Sequence, residues 1–238
     1  MNYLDKIAEN YHTSSHKDKF IEDECQMYTL DWINNYIKDD LNVLELGYGE
    51  GVLTNYLSGL KINLDVVEGS KVLVEKGQIL HPNIVFHHSF FEDFFPIKKY
   101  DLIVCTHVLE HVDNPSIILD NLYNWLAENG TALIIVPNSE SIHRQLAVIM
   151  NLQKNNSDLS ERDHLVGHKR VYDYKQLDID IYNSSLEVIK REGFFLKTLP
   201  NSMMLNFDKD LIKALNAISS KLPFNLLANL AYEVKKSK

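Results

Sequence analysis

Residues 45 to 51 read Glu45-Leu46-Gly47-Tyr48-Gly49-Glu50-Gly51, directly after the apolar start of a strand and where a helix should begin. Glycines at alternate positions let the chain turn sharply out of a strand and bring backbone N–H groups against a ligand, with no Cβ in the way. A dinucleotide loop would read G-x-G-x-x-G. Here the third glycine comes one residue sooner, and Glu45 suits an ammonium better than a pyrophosphate. The stretch points to a nucleoside-cofactor site, although alone it also fits an ordinary glycine-rich turn.

A second link lies 23 residues beyond Glu45, where the apolar run Leu64-Asp65-Val66-Val67 ends in Glu68, followed by Gly69. An acid at the tip of a second strand can accept both ribose hydroxyls of a nucleotide. Around these residues short apolar runs alternate with amphipathic segments. The pattern predicts strands at 42–46, 63–67, 84–87 and 101–105, with helices at 50–59 and 70–79 between the first three. A helix at 115–127 and the turn Asn129-Gly130 lead to a further strand at 131–136. Strands alternating with helices imply parallel pairing and right-handed crossovers, hence an α/β, doubly wound, Rossmann-like sheet with helices on both faces.

Read together, these residues resemble the class I S-adenosylmethionine (SAM)-dependent methyltransferases, and most closely the ubiquinone-biosynthesis-like group that acts on small molecules. The family's first motif falls on Glu45 to Gly51 and its ribose-binding acid on Glu68. Its adenine-side loop falls on His88-Ser89-Phe90-Phe91-Glu92-Asp93, and its fourth-strand motif on Tyr100 to His111. A fifth-strand segment fits Asn129 to Asn138. The resemblance implies SAM as cofactor, S-adenosylhomocysteine as product and a seven-stranded sheet whose last strand is antiparallel. It places Glu45, Gly47, Tyr48, Gly49, Gly51, Glu68, Gly69, Ser89, Phe90, Phe91 and His107 at the cofactor, with Tyr11 closing over it. Phe94 and Phe95 read as core.

The 238 residues, 45% of them hydrophobic, suffice for one domain with one sizeable core. We expect residues 1–37 to form an N-terminal helical cap, with a helix at 21–37, and residues 139–182 to form a lid or substrate insertion after the fifth strand. A helix is expected at about 140–152, then one at 183–192 closed by Gly193, one at 208–220 and a final strand near 229–234. The net charge of −9 and pI near 5.5 oppose a nucleic-acid footprint, which needs a basic face. No run approaches the ~18 apolar residues of a spanning helix, so a cytoplasmic protein without membrane insertion is the expectation. Cys25 and Cys105 give no disulfide framework. Apolar patches in the final third fit either a homodimer interface or a core.

Methyl transfer from a sulfonium needs a nucleophile held in line and suitably deprotonated. Histidine is the natural base near neutral pH, which makes His107, His111 and His168 catalytic candidates; a structural role is as compatible with each. His164, His168, Arg170 and Tyr172 resemble a G-H-x-R-x-Y signature of small-molecule members and are expected to bind the acceptor, with Arg170 engaging an anionic or carbonyl group. The alternative is that they anchor the lid. Some similar ubiquinone-pathway O-methyltransferases use a divalent ion held by acids and a histidine in the segment of His107, Glu110 and His111. Here a histidine replaces one acid, so no metal is expected. The function expected is methyl transfer to O or N of a small molecule such as a sugar, a natural-product intermediate or a carboxylate. A non-catalytic partner of the same fold would be expected to lose the glycines or Glu68, all of which are present. A nucleic-acid methyltransferase would carry an N/D-P-P-Y-type tetrapeptide where this chain reads Thr106-His107-Val108-Leu109.

Overall fold

The computed structural model describes residues 3–12 and 19–237, and the side chains of 9–12 lie outside that description. The expected contact from Tyr11 therefore falls outside the described residues. Helices α1 (Tyr3–His12) and α2 (Lys19–Asn34) precede an alternation of β1 (Asn42–Leu46), α3 (Val52–Leu57), β2 (Asn63–Glu68), α4 (Lys71–Leu80) and β3 (Val85–His88). The chain then forms β4 (Tyr100–Thr106), α5 (Pro115–Trp125) and β5 (Leu126–Pro137). After these come α6 (Ile142–Ile149), α7 (Glu161–Leu165), α8 (Tyr174–Tyr182), β6 (Leu186–Phe194), α9 (Asn201–Met204), α10 (Lys209–Ala217) and β7 (Asn229–Lys236).

All seven strands join one sheet in the order β3-β2-β1-β4-β5-β7-β6. The pairs from β3 to β5 are parallel, and β7 runs antiparallel to both β5 and β6. Successive side chains of a strand face opposite sides, and the two sides are filled differently. Leu44, Leu46, Ile103, Cys105, Ile134 and Val136 pack under α5 and α8. Val43, Val66, Leu102, Val104, Leu133 and Ile135 pack under α2, α3 and α4. Strands covered on both faces need apolar residues at every position, which is why β1 and β4 read as continuous apolar runs. The chain builds outward from β1 through β2 to β3, then returns to the other side of β1 as β4. Ligands of open α/β sheets bind at the carboxyl ends of the strands beside such a reversal.

Two expectations are corrected. Residues 183–192 do not form a helix; Leu186–Phe194 is the edge strand β6. Its central Ile189, Lys190 and Arg191 are exposed around a register shift at Val188/Lys190, which disguises the period of two. Gly193 is not a helix stop. A Cβ there would lie 2.6 Å from the Phe224 carbonyl oxygen and 3.0 Å from that of Asn229, so it marks a close approach of backbones. Second, the expected insertion contains a scaffold helix, α8, capped by Asp173 and contributing buried Leu177 and Ile181 to the core.

Asn138, just past β5, fixes the carboxyl end of the sheet. Its side-chain amide donates to the carbonyls of Asn225 (2.9 Å) and Leu227 (2.7 Å), and its Oδ1 accepts from the Glu140 N–H (2.9 Å), all at 1% exposure. Asn138→Ala would strand two buried carbonyls and should cost about 2–4 kcal/mol. Urea unfolding checks this, and a loss below about 0.5 kcal/mol would contradict the anchoring role.

Candidate functional site

The glycine loop leaves β1 with its first residue still held to β2, by Gly47 N–H donating to the Val67 carbonyl (2.8 Å). Gly47, Gly49 and Gly51 have φ of 82°, 52° and 80°, a region L residues enter only at a cost. They differ in what lies ahead of them. A Cβ on Gly51 would strike the Tyr48 ring at 2.5 Å, whereas one on Gly49 would meet nothing within 4 Å. Gly51 is thus needed for packing, and Gly49 leaves backbone exposed to an open face. Tyr48 serves the loop from behind: its ring is 3% exposed and packs edge-on to Phe86 at 5.5 Å.

Glu68, buried at the tip of β2, gathers the surrounding backbone. Its Oε2 accepts from Tyr48 N–H (2.9 Å) and its Oε1 from Ser70 N–H (2.7 Å), with further bonds from the backbones of Gly49 and Gly69. Burial raises its pKa, and these bonds oppose the rise without cancelling it. Glu45, at 1% exposure, accepts from the Thr54 hydroxyl at 2.7 Å. Burial pushes its pKa up to about 8 against that bond, with the Glu68 charge adding to the rise. The adenine-side loop closes the rim. Ser89 N–H donates to the Glu68 carbonyl (3.1 Å), a Cβ on Gly69 would lie 3.5 Å from Phe90, and one on Gly47 3.9 Å from Phe91. Phe94 turns into the core and Phe95 is exposed.

Asp5 belongs to this rim although the sequence reading passed over it. Its Oδ1 accepts from the Ser70 hydroxyl (2.8 Å) and Val72 N–H (3.4 Å), placing a buried carboxylate at the start of α4, where the helix dipole favours negative charge. Leu4 and Ile7 reach Gly69 and Gly167, so α1 spans from the cofactor rim to the lid. Local sequence offers no signal for this, because an acid in the first turn of a helix is ordinary.

Past β4 the chain forms a tight turn instead of the helix that would align His107, Glu110 and His111. His107 takes φ 54° and is held by its N–H to the Ile135 carbonyl (2.8 Å) and by Nδ1, 3.1 Å from Glu110 Oε1. Its side chain is 44% exposed while that of Glu110 is 0% exposed. Burial alone would raise the Glu110 pKa. The His107 bond and the charges of His111 and His168 outweigh it and hold the carboxyl low. His111 is pushed down, first by burial, and its ring is hydrogen-bonded to the Gly167 backbone.

The lid contributes His168, whose ring packs edge-on to His111 at 4.7 Å. Its Nδ1 lies 2.8 Å from Asp163 Oδ1. Asp163 also pairs with Arg144 (2.9 Å) and closes a capping box with Ser160. Burial alone would raise the Asp163 pKa, but these partners hold it well below the usual range. His107, His111 and His168 therefore converge on Glu110. Arg170 does not face a pocket: it donates to the carbonyls of Leu109 (2.7 Å), Val112 and Asp113 (3.1 Å), fastening the lid to the turn. Tyr172 is 2% exposed, with its hydroxyl on Asp180 (3.2 Å), and His164 is exposed. For Arg170 and Tyr172 the anchoring role fits the geometry and acceptor binding does not.

The seven-stranded sheet with its antiparallel β7 is the fold of SAM-dependent methyltransferases. The chain belongs to the methyltransferase domain family, whose profile matches residues 19–178. It is similar to the ubiquinone biosynthesis O-methyltransferase of Glaesserella parasuis serovar 5, with 30% identity over 130 residues, 48% of this chain and 55% of that protein. The match thus spans about half the length of that relative. The corresponding enzyme of Rickettsia felis is 22% identical over 197 residues, covering 77% of this chain and 76% of that one. Among solved structures, the plantazolicin methyltransferase BamL, in complex with a triazolic substrate analogue and S-adenosylhomocysteine, superposes with a TM-score of 0.58 at 19% identity. That comparison covers 98% of this chain and 90% of BamL.

Two predictions follow from the loop. Gly51→Ala should cost about 2 kcal/mol or more, from left-handed strain and the Tyr48 contact. The loss should shrink in a Tyr48→Leu background; equal losses in both backgrounds would exclude the steric contact. A carboxyl whose folded pKa lies above its unfolded one stabilises the fold in acid and loses that contribution as pH rises. For Glu45 the loss runs from its ordinary value of 4.5 to about 8. Glu45→Gln should therefore gain stability relative to wild type as pH rises across this window. A pH-independent difference in urea midpoints would contradict the buried, proton-holding carboxyl.

Proposed function

We propose that this protein transfers the methyl group of SAM to an oxygen or nitrogen of a small-molecule acceptor, with His107 as the general base. The observation that carries the reading is the His107–Glu110 pair beside the glycine loop. Parallel register sets Glu45 opposite Val104, so the loop after β1 and the turn after β4 emerge at the same edge of the sheet. The open face at Gly49, the carboxylate of Glu68 and the Phe90/Phe91 wall fit a cofactor with ribose and purine parts.

When bound, SAM supplies a methyl group on a sulfonium, which departs as a neutral thioether. The residues Gly47, Gly49, Glu68, Gly69, Ser89, Phe90 and Phe91 would hold it. Glu110, kept ionised, accepts the Nδ1–H of His107 and so leaves Nε2 with its lone pair toward the half-open face. A hydroxyl acceptor would give its proton to that nitrogen as it attacks, an ammonium would give it up before the freed amine attacks, and Glu110 would stabilise the imidazolium that results. The segment fastened by Arg170 and Asp163 packs beside this edge, where the His107 side chain stays 44% exposed. The curated relatives act in ubiquinone biosynthesis and BamL was solved with a small heterocyclic analogue; both support a small-molecule acceptor, with hydroxyl chemistry the first to test.

The test is release of S-adenosylhomocysteine from SAM across a panel of phenols, hydroxy acids, sugars and amines. With any acceptor that turns over, His107→Asn, chosen because Asn tolerates positive φ, should lower kcat by about 100-fold or more. Affinity for S-adenosylhomocysteine should stay within about threefold of wild type, since that residue contributes its ring to the acceptor side. Undiminished turnover would remove His107 as base. SAM binding without release on any acceptor would contradict the small-molecule reading.

A further inference from the structure

Glu110, His111 and His168 each offer one ligand atom, and these atoms all lie within 4.8 Å of one another. Glu110 Oε1 is engaged by His107, while Oε2 is buried without a hydrogen-bond partner. A buried carboxyl oxygen with no donor is costly unless something meets it. Each histidine already has one nitrogen committed outward: His168 Nδ1 to Asp163 at 2.8 Å, and the His111 ring to the Gly167 backbone. Metal-bound histidines are oriented in this way, the second ring nitrogen donating to a carboxylate or a carbonyl. Arg144 and Ser160 in turn hold Asp163, so His168 is doubly supported.

We infer that Glu110, His111 and His168 form a divalent-metal site that clips the lid to the turn after β4, and that its two-imidazole, one-carboxylate donor set selects Zn²⁺ or Co²⁺ over Mg²⁺. The set differs from the one the resemblance implies. His107, which stands where an acid would, is turned to Glu110 Oε1, and the third ligand comes from the lid. Replacing a carboxylate by imidazole moves the site from hard to borderline cations. Donors about 2.1 Å from a common ion in tetrahedral geometry lie about 3.4 Å apart, so a pair as wide as 4.8 Å needs to close by about 1.4 Å. The inference is independent of the cofactor and the acceptor.

The experiment titrates chelator-treated protein, without SAM, with Co²⁺ and then Zn²⁺. One equivalent of Co²⁺ should develop the visible absorption of a low-coordinate site, be displaced by Zn²⁺ and be unaffected by millimolar Mg²⁺. Zn²⁺ should also raise the thermal midpoint. His168→Gln should weaken Zn²⁺ binding by about 100-fold or more and Asp163→Asn by about 10- to 100-fold. His107→Asn, which removes the partner of Glu110 Oε1 but leaves all three ligands in place, should weaken it by about 10-fold, less than His168→Gln does. Circular dichroism confirms that the variants fold, and the wild-type cobalt spectrum stands apart from them. Absence of a one-to-one cobalt spectrum, competition by Mg²⁺, or a His168→Gln variant that binds like wild type would each overturn the site. Affinity for S-adenosylhomocysteine, measured on the same samples, separates this failure from failure of the methyltransferase reading.

Discussion

The Glu68 carboxylate is the constraint on which the cofactor edge depends. Backbone N–H groups on both sides of it, from Tyr48 and Gly49 in the loop after β1 and from Gly69 and Ser70 after β2, converge on its two oxygens. Such charge-assisted bonds are stronger than neutral ones, and they hold a loop of three left-handed glycines in a shape it would not keep alone. The same carboxylate is the natural acceptor for ribose hydroxyls. Under the proposed reading, a bound ribose and the N–H groups of the loop share one carboxylate. Through Ser70 the influence reaches Asp5 and hence α1, the element lying over this edge.

On the acceptor side a second carboxylate organises the chain. Asp163 ties α6 to α7 through Arg144, closes the capping box of α7 and orients His168. The segment that follows clamps the turn after β4: Lys169 N–H donates to the Glu110 carbonyl at 2.8 Å, and Arg170 covers three more carbonyls of the turn. That turn carries His107 at a positive φ, a strain that persists only where the surroundings over-determine it. The segment after Asp163 and the turn that carries His107 are thus mechanically one unit.

The sheet was legible in the sequence because each signal was local. The apolar centres of β1 and β4, the glycine spacing and the acid ending β2 lie in short stretches whose meaning survives without tertiary context. The edge strand β6 was not legible, since one open edge and a register shift let charged residues take positions that mimic an amphipathic helix. Gly193 misled for the same reason: a helix stop and a close backbone approach both require glycine. The roles of Arg170 and Tyr172 were visible as a motif, but the motif could not say whether the guanidinium turns toward a ligand or toward the carbonyls of a neighbouring turn. Asp5 and Asp163 act through residues 65 and 5 positions away, and neither partner is marked by periodicity.

The most direct test of the account is the affinity of S-adenosylhomocysteine for wild type and for Gly49→Val, measured by isothermal titration. Gly49 faces open space, so a valine there should obstruct the ligand more than the fold. Micromolar binding by wild type, weakened about 100-fold or more in a variant that still unfolds cooperatively, is the predicted result. Absence of binding to wild type, or undiminished binding to the variant, would contradict the claim that the loop ordered by Glu68 is the cofactor cradle.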